Sequence, residues 1–196
     1  GIQAYNFIIW TMNSIINHIL IPMAHMQDPY FNRSVVFMCE HNKDGAMGLI
    51  VNKPFSDPTL KELFDSFYDD ADEILKSVEQ VYFGGPVMVE RGIVLHSSHY
   101  QSEDSIKISN DFFLSSHKKT LEDLSKQNGD AECRLLLGHA GWTSGQLERE
   151  IENGDWLVQE TTPDFIFNMP EKQMWGMAIR SFGIDISNFS SIGGQA

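Results

Sequence analysis

The stretch VVFMCEHNKDGAMGLIVNK, residues 35–53, constrains the fold more than any other part of the chain. Both arms are rich in strand formers, and the intervening Asn42-Lys43-Asp44-Gly45 ends in a glycine able to take the positive φ of a bulged turn. A hairpin is expected. Its apolar residues occupy both alternating faces, Val35, Phe37 and Cys39 against Val36 and Met38, so each face needs cover. The chain must therefore supply further layers on two sides of a sheet.

The remaining elements follow from local punctuation. HILIPM (18–23) reads as a first core strand, and the Asp28-Pro29 step in MQDPYFNRS makes a break before the hairpin. PTLKELFDSFYDDADEILKSV (58–78) places Leu60, Leu63, Phe64 and Phe67 at helical spacing, with its acidic residues mostly off that stripe. VYFGGPV and RGIVLHSS read as two strands, SIKISNDFFL as another, KKTLEDLSKQ as a helix, and AECRLLLGHAG as a strand. WLVQETTPDFIF reads as extended, and Pro170 opens a last helix that Gly183 can close. Hairpins mixed with helices, without a βαβ rhythm, indicate an α+β fold. At 196 residues, 42% of them hydrophobic, one domain over 12–196 is expected. Met12 is the expected natural start, which makes residues 1–11 an upstream extension.

Charge excludes some functions. Fourteen Lys and Arg face 27 Asp and Glu, a formal net charge of -13, and such a surface repels nucleic-acid backbones. No Lys/Arg run marks a basic patch. The apolar N-terminal stretch YNFIIWTMNSIINHILIPM is interrupted by Asn13, Ser14, Asn17 and His18, so no membrane span is expected. Cys39 and Cys133 form no metal or redox motif and suit a reducing compartment, so a cytoplasmic location is expected.

The glycine-studded LLLGHAGWTSGQLEREIENG (135–154) invites a catalytic reading and fails each template. It has no P-loop lysine, Gly138, Gly141 and Gly145 miss the dinucleotide spacing, and Ser144 falls one position late for a nucleophile elbow. Thr143 and Gln146 instead have the spacing of a helix capping box, with Trp142 and Leu147 as its hydrophobic staple. Gly138 and Gly141 leave room for another backbone or a ligand.

Other candidates are sparse. Cys39 and His41 share a strand face, two potential ligands where zinc normally needs three from protein. HSSH sets His96 beside Ser98 without an identifiable orienting acid. Gly84-Gly85-Pro86 offers either two amides for an anion or a strand corner. No catalytic residue, metal or cofactor is assigned. The polar and glycine residues at predicted strand ends, His41, Asn42, Gly45, Asn52, Gly84, Gly85, His96, Gly141 and Trp142, are expected to converge on one ligand-binding cleft.

Four segments in order carry a resemblance: MQDPYFNRSVVFMCEHNKDGAMGLIVNKP, VYFGGPVMVERGIVLHSS, LLLGHAGWTSGQLEREIENGDWL and WGMAIRSFGID. Together they resemble the bacterial AlgH/YqgE family from about Met12 onward. The resemblance implies a mixed, largely antiparallel, bifurcated sheet forming a pseudo-barrel flanked by helices. His139 stands where that family often carries an aromatic or small residue. The family's name implies a link to regulation of exopolysaccharide synthesis. The expected function is a non-enzymatic binding or regulatory protein with a protein or small-molecule partner, acting indirectly on gene expression. The alternatives are a hydrolase or metal-assisted enzyme using His41 and His96, and a direct DNA-binding regulator, which the acidic charge disfavours.

Overall fold

The computed structural model describes residues 14–55, 80–116 and 132–182, together with 62, 120 and 123. Their strands are β1 (His18–Pro22), β2 (Val36–Asn42), β3 (Gly45–Ile50), β4 (Val81–Phe83), β5 (Val87–His96), β6 (Ile106–Lys107), β7 (Phe113–Ser116), β8 (Cys133–Thr143) and β9 (Trp156–Glu160). Helices α1 (Gln146–Glu152), α2 (Pro163–Asn168) and α3 (Glu171–Ser181) complete the described elements. The helix expected over 58–78 lies outside the described residues. Of the helix expected over 118–127, only Thr120 and Asp123 are described, both helical.

The strands make one curled α+β sheet in the order β6-β7-β5-β8-β3-β2-β1-β9, with β4 attached to β8 off this path. Pairing is antiparallel except between β4 and β8. The expected hairpin is present as β2 and β3, with Asn42 opposite Gly45. Both of its faces are covered. Val36 and Met38 join an apolar cluster with Leu147 and Ile151 of α1, whereas Val35, Phe37 and Cys39 join one with Ile166 of α2 and Met174, Trp175 and Ile179 of α3.

Strand β8 is where the sheet divides. One edge pairs with β5, while the opposite edge takes β4 along Leu135–Leu137 and then β3 along Ala140–Thr143. Gly138 stands at the switch with φ 78°. An unbroken period of two would send Ala140 and Trp142 to the face opposite Leu135 and Leu137. All four instead share one apolar cluster, because the residue at Gly138 shifts the alternation. The crowding there admits only glycines: an added Cβ would lie 2.3 Å from the Gly138 oxygen at Gly84, 2.1 Å from the His139 carbonyl carbon at Gly85, and 2.2 Å from the Gly85 oxygen at Gly138. The Gly84 amide donates to Leu137 O at 2.8 Å, and Ile50 N donates to Gly84 O at 2.8 Å. Gly84-Gly85-Pro86 is thus a strand corner at the fork, and the Gly84 amide is not left for an anion.

Three local expectations change. SIKISNDFFL is two short antiparallel strands, β6 and β7, because Ser109, Asn110 and Asp111 turn the chain. The second half of WLVQETTPDFIF is helix α2, started by Thr162, whose hydroxyl accepts from Phe165 N at 3.2 Å, with Pro163 in its first turn. The capping box is only half formed. Gln146 reaches back to Thr143 N at 3.0 Å, but the N-cap residue is Gly145, with φ 75°, and no side chain caps α1. Thr143 ends β8, and the Ser144 hydroxyl donates to Lys43 O at 2.6 Å, fastening the turn to the hairpin tip.

Candidate functional site

The structure distributes the nine expected site residues over four places. His41, Asn42, Gly45, Gly141 and Trp142 gather where the hairpin tip pairs with the end of β8. Gly84 and Gly85 form the fork, Asn52 braces the chain before β2, and His96 ends β5. His41 and His96 are far apart: their positions project onto Trp142 and Cys133 of β8, nine residues and so on the order of 30 Å along the strand. No single cleft joins these nine among the described residues.

Their hydrogen bonds explain the local need for them. The His41 side chain is 6% exposed; Ile15 N donates to its Nδ1 at 3.2 Å, so the proton sits on Nε2, which meets Glu148 Oε1 at 2.5 Å. This imidazole ties the segment before β1, the hairpin and α1 together. Asn42 Oδ1 accepts from Asp44 N at 2.8 Å within the turn, and a Cβ on Gly45 would strike Trp142 O at 2.3 Å. The Trp142 and Trp156 indoles both donate to Glu150 Oε1, at 3.3 and 3.2 Å. Buried Asn52 accepts from Val35 N at 2.8 Å and donates to Arg33 O at 3.0 Å.

His96 is fully buried, between Phe113 and Tyr100. Its Nδ1 donates to Ser97 O at 3.0 Å, so Nε2 accepts from the Ser115 hydroxyl at 2.7 Å. Burial pushes its pKa below the ordinary histidine value, partly opposed by hydrogen bonds to backbone at Ser97 and Tyr100. The serine partner is therefore Ser115 across the sheet, not Ser98. Ser115 pairs with Val94, whose side chain lies in the α1-side cluster, so the hydroxyl points to that face. The pair is a buried polar brace.

A shift of register at Cys39 likewise separates the two residues expected to share a face. Cys39 and Glu40 both turn to one side, while His41 turns to Ile15 and Glu148 on the other. Burial drives the Cys39 thiol pKa strongly upward. No group of three potential metal ligands occurs among the described residues.

A cavity of about 710 Å³ lies instead on one side of the curled sheet. Its floor is apolar, formed by Cys39, Met47, Ile93 and Leu114. Strand β5 supplies one wall, because Val87 pairs with His139 and Gly92 with Leu137, so residues 88–91 bulge outward, Met88 having φ 53°. Ile106, 63% exposed on edge strand β6, forms the opposite lip. Charges also line it: Glu40, Glu90, Arg91, Asp104 and Lys107. The imidazole of His139 projects among these groups, half-buried, without a hydrogen bond to any described residue, and desolvation lowers its pKa. Gly141, opposite Met47, has only Val87 Cγ2 of the described residues near its absent side chain, at 3.9 Å. Such a cavity can take an apolar molecule and offer one hydrogen-bonding ring to it.

Sequence reasoning singled out the turns and missed this cleft. Its floor residues are separated by register shifts at Cys39, Gly138 and Met88–Arg91, which a period-two reading cannot anticipate. The legible signal was His139, a polar ring in the otherwise apolar LLLGHAG.

A forked, largely antiparallel sheet with helices on both faces and an open cleft on one side defines a class of small α+β proteins. Sequence comparison gives the family. A profile described as AlgH-like matches residues 19–187, and the chain belongs to that family. It is 40% identical to a UPF0301 protein of Pseudoalteromonas translucida over 186 residues, covering 94% of this chain and 100% of the relative. A UPF0301 protein of Proteus mirabilis is 39% identical, with 93% and 100% covered. Among solved structures, the AlgH protein of Pseudomonas aeruginosa superposes with a TM-score of 0.67 at 31% identity, covering 90% of this chain and 93% of that one. Protein DIP2367 of Corynebacterium diphtheriae shares the fold with a TM-score of 0.66 at 22% identity, covering 85% and 86%. Among the described residues no helix is long and apolar enough to cross a membrane.

Proposed function

We propose that this chain is a non-enzymatic binding protein that takes an apolar small molecule carrying one hydrogen-bonding group into the cleft beside β5. The observation that carries this reading is the conjunction of an apolar floor with a His139 ring that has no hydrogen-bond partner among the described residues, in a cavity of about 710 Å³. With its pKa lowered, that ring is neutral near pH 7 and serves as either donor or acceptor. Exposed Met88 and Ile106 at the lips extend the apolar surface outward. Methionine floors adapt to ligands of varied shape. The proposal includes a cytoplasmic site of action and an indirect influence on gene expression through the bound ligand or a protein partner, in keeping with the family's name and the net charge of -13.

Nile red fluorescence provides the test. The dye is expected to brighten with one-site saturation on the full chain and to be displaced by decanol, a chain with a single hydroxyl. Ile106→Glu, at an exposed lip position, is expected to weaken dye binding about tenfold, and His139→Phe to weaken decanol more than the dye. Dye binding that ignores Ile106→Glu overturns the assignment. The separation of His41 and His96 removes the geometric support for a hydrolase built on both.

A further inference from the structure

The acidic chain conceals one basic groove. Arg33, Lys53, Lys172 and Arg180 line a second cavity of about 380 Å³, together with Asn52 and Gly176. Four of the chain's 14 Lys and Arg thus meet there, against Glu171 alone among the carboxylates of the described residues. They come from widely separated stretches of sequence, so no basic run announces them.

The cations are placed at intervals. Lys172, Gly176 and Arg180 recur every four residues and share one face of α3, with the two charges about 12 Å apart along the axis at 1.5 Å per residue. The glycine between them leaves the middle of that face bare. Across the groove, the Arg33 guanidinium is held over the Trp175 ring at 4.7 Å, and Lys53 Nζ donates to Asn32 O at 2.7 Å. Asn52 fixes this wall through Arg33 O. Among the described residues no carboxylate pairs with Arg33, Lys172 or Arg180.

We propose that this groove binds a small ligand bearing two or three phosphate groups in a row. A single phosphate, roughly 3 Å across, would meet the cations at one end only. A row of phosphates would lie along the bare face of α3 with positive charge at both ends and on the facing wall. Size matters because fields decay over about 8 Å at physiological ionic strength. A compact anion inside the groove meets chiefly its cations, whereas a long nucleic acid also meets the acidic surface. This site is separate from the cleft and does not depend on its ligand.

Calorimetry on the full chain tests the proposal, with inorganic tripolyphosphate and orthophosphate as probes at 150 mM salt. Tripolyphosphate is expected to bind with 1:1 stoichiometry and at least tenfold more tightly than orthophosphate. Both Lys172 and Arg180 are exposed, so Lys172→Ala with Arg180→Ala should fold and lose at least tenfold in tripolyphosphate affinity. Nile red binding in the cleft is expected to stay unchanged in that variant. Equal affinity for the two anions, an unaffected double variant, or tighter binding of a single-stranded oligonucleotide than of tripolyphosphate would each overturn the proposal.

Discussion

Replacing Gly138 with alanine tests the fork more sharply than any truncation. The residue has φ 78°, a left-handed conformation that costs an L side chain about 1–2 kcal/mol. Its new Cβ would lie 2.2 Å from Gly85 O and 3.2 Å from Val87 O, both backbone, so the neighbours cannot rotate aside. Forcing strands apart in a packed core adds about 1–3 kcal/mol. The sum, about 2–5 kcal/mol, is a large part of an ordinary domain's stability. With about 2–4 °C per kcal/mol for a chain of this size, the midpoint should fall by roughly 5–20 °C. Gly141→Ala is the internal control, since among the described residues its Cβ meets only Val87 Cγ2 at 3.9 Å and its φ is not positive. Thermal unfolding followed by circular dichroism should leave Gly141→Ala within about 2 °C of the parent or slightly above it. Equal midpoints for the two variants would refute the crowded fork as the reason for glycine.

Asn52→Ala leaves buried Val35 N without its acceptor and should cost about 1–3 kcal/mol in urea unfolding, with Asn52→Asp intermediate because it keeps an acceptor. Burial lowers the pKa of His96 and of His139, so the unfolded chain binds more protons at these sites. Their stability is intact above the ordinary value near 6.5 and declines as pH falls through it toward the folded values. The unfolding free energy from urea titrations between pH 7.5 and 5.5 should decline more steeply in the parent than in His96→Asn, by up to about 1.4 kcal/mol per pH unit. Burial raises the pKa of both thiols, lifting Cys39 far above its ordinary value, and Cys39 is buried while Cys133 is partly exposed, so iodoacetamide at pH 8 should label Cys133 first by mass spectrometry.

What the sequence made legible was local. The β2–β3 hairpin follows from Asn42 to Gly45, and its two-sided burial follows from Val35 to Cys39, because turn chemistry and alternation act between near neighbours. The division of β8 was not legible as geometry. It depends on Gly138 meeting Gly85 across more than fifty residues. Bulges defeat alternation in the same way: Cys39 and His41 part company at a register shift, and Ala140 and Trp142 rejoin the face of Leu137. The expected convergence of nine residues failed for a related reason. Polar and glycine positions at strand ends were needed separately, by the fork, by the hairpin tip and by the Asn52 brace, and each need is met inside the fold. Conversely, Arg33, Lys53, Lys172 and Arg180 are dispersed in sequence and gather only when α3 packs on the sheet.

The most direct test of the cleft reads its two methionines. In a chain labelled with 13C at the methionine methyls, nine resonances are expected, of which Met47 and Met88 line the cleft while exposed Met177 lies on α3. Titration with decanol should move the Met47 and Met88 signals along one saturating curve and leave Met177 still, and His139→Phe should weaken that curve. If Met47 and Met88 remain unmoved at saturating decanol, or if all nine shift alike, the cleft is not the binding site.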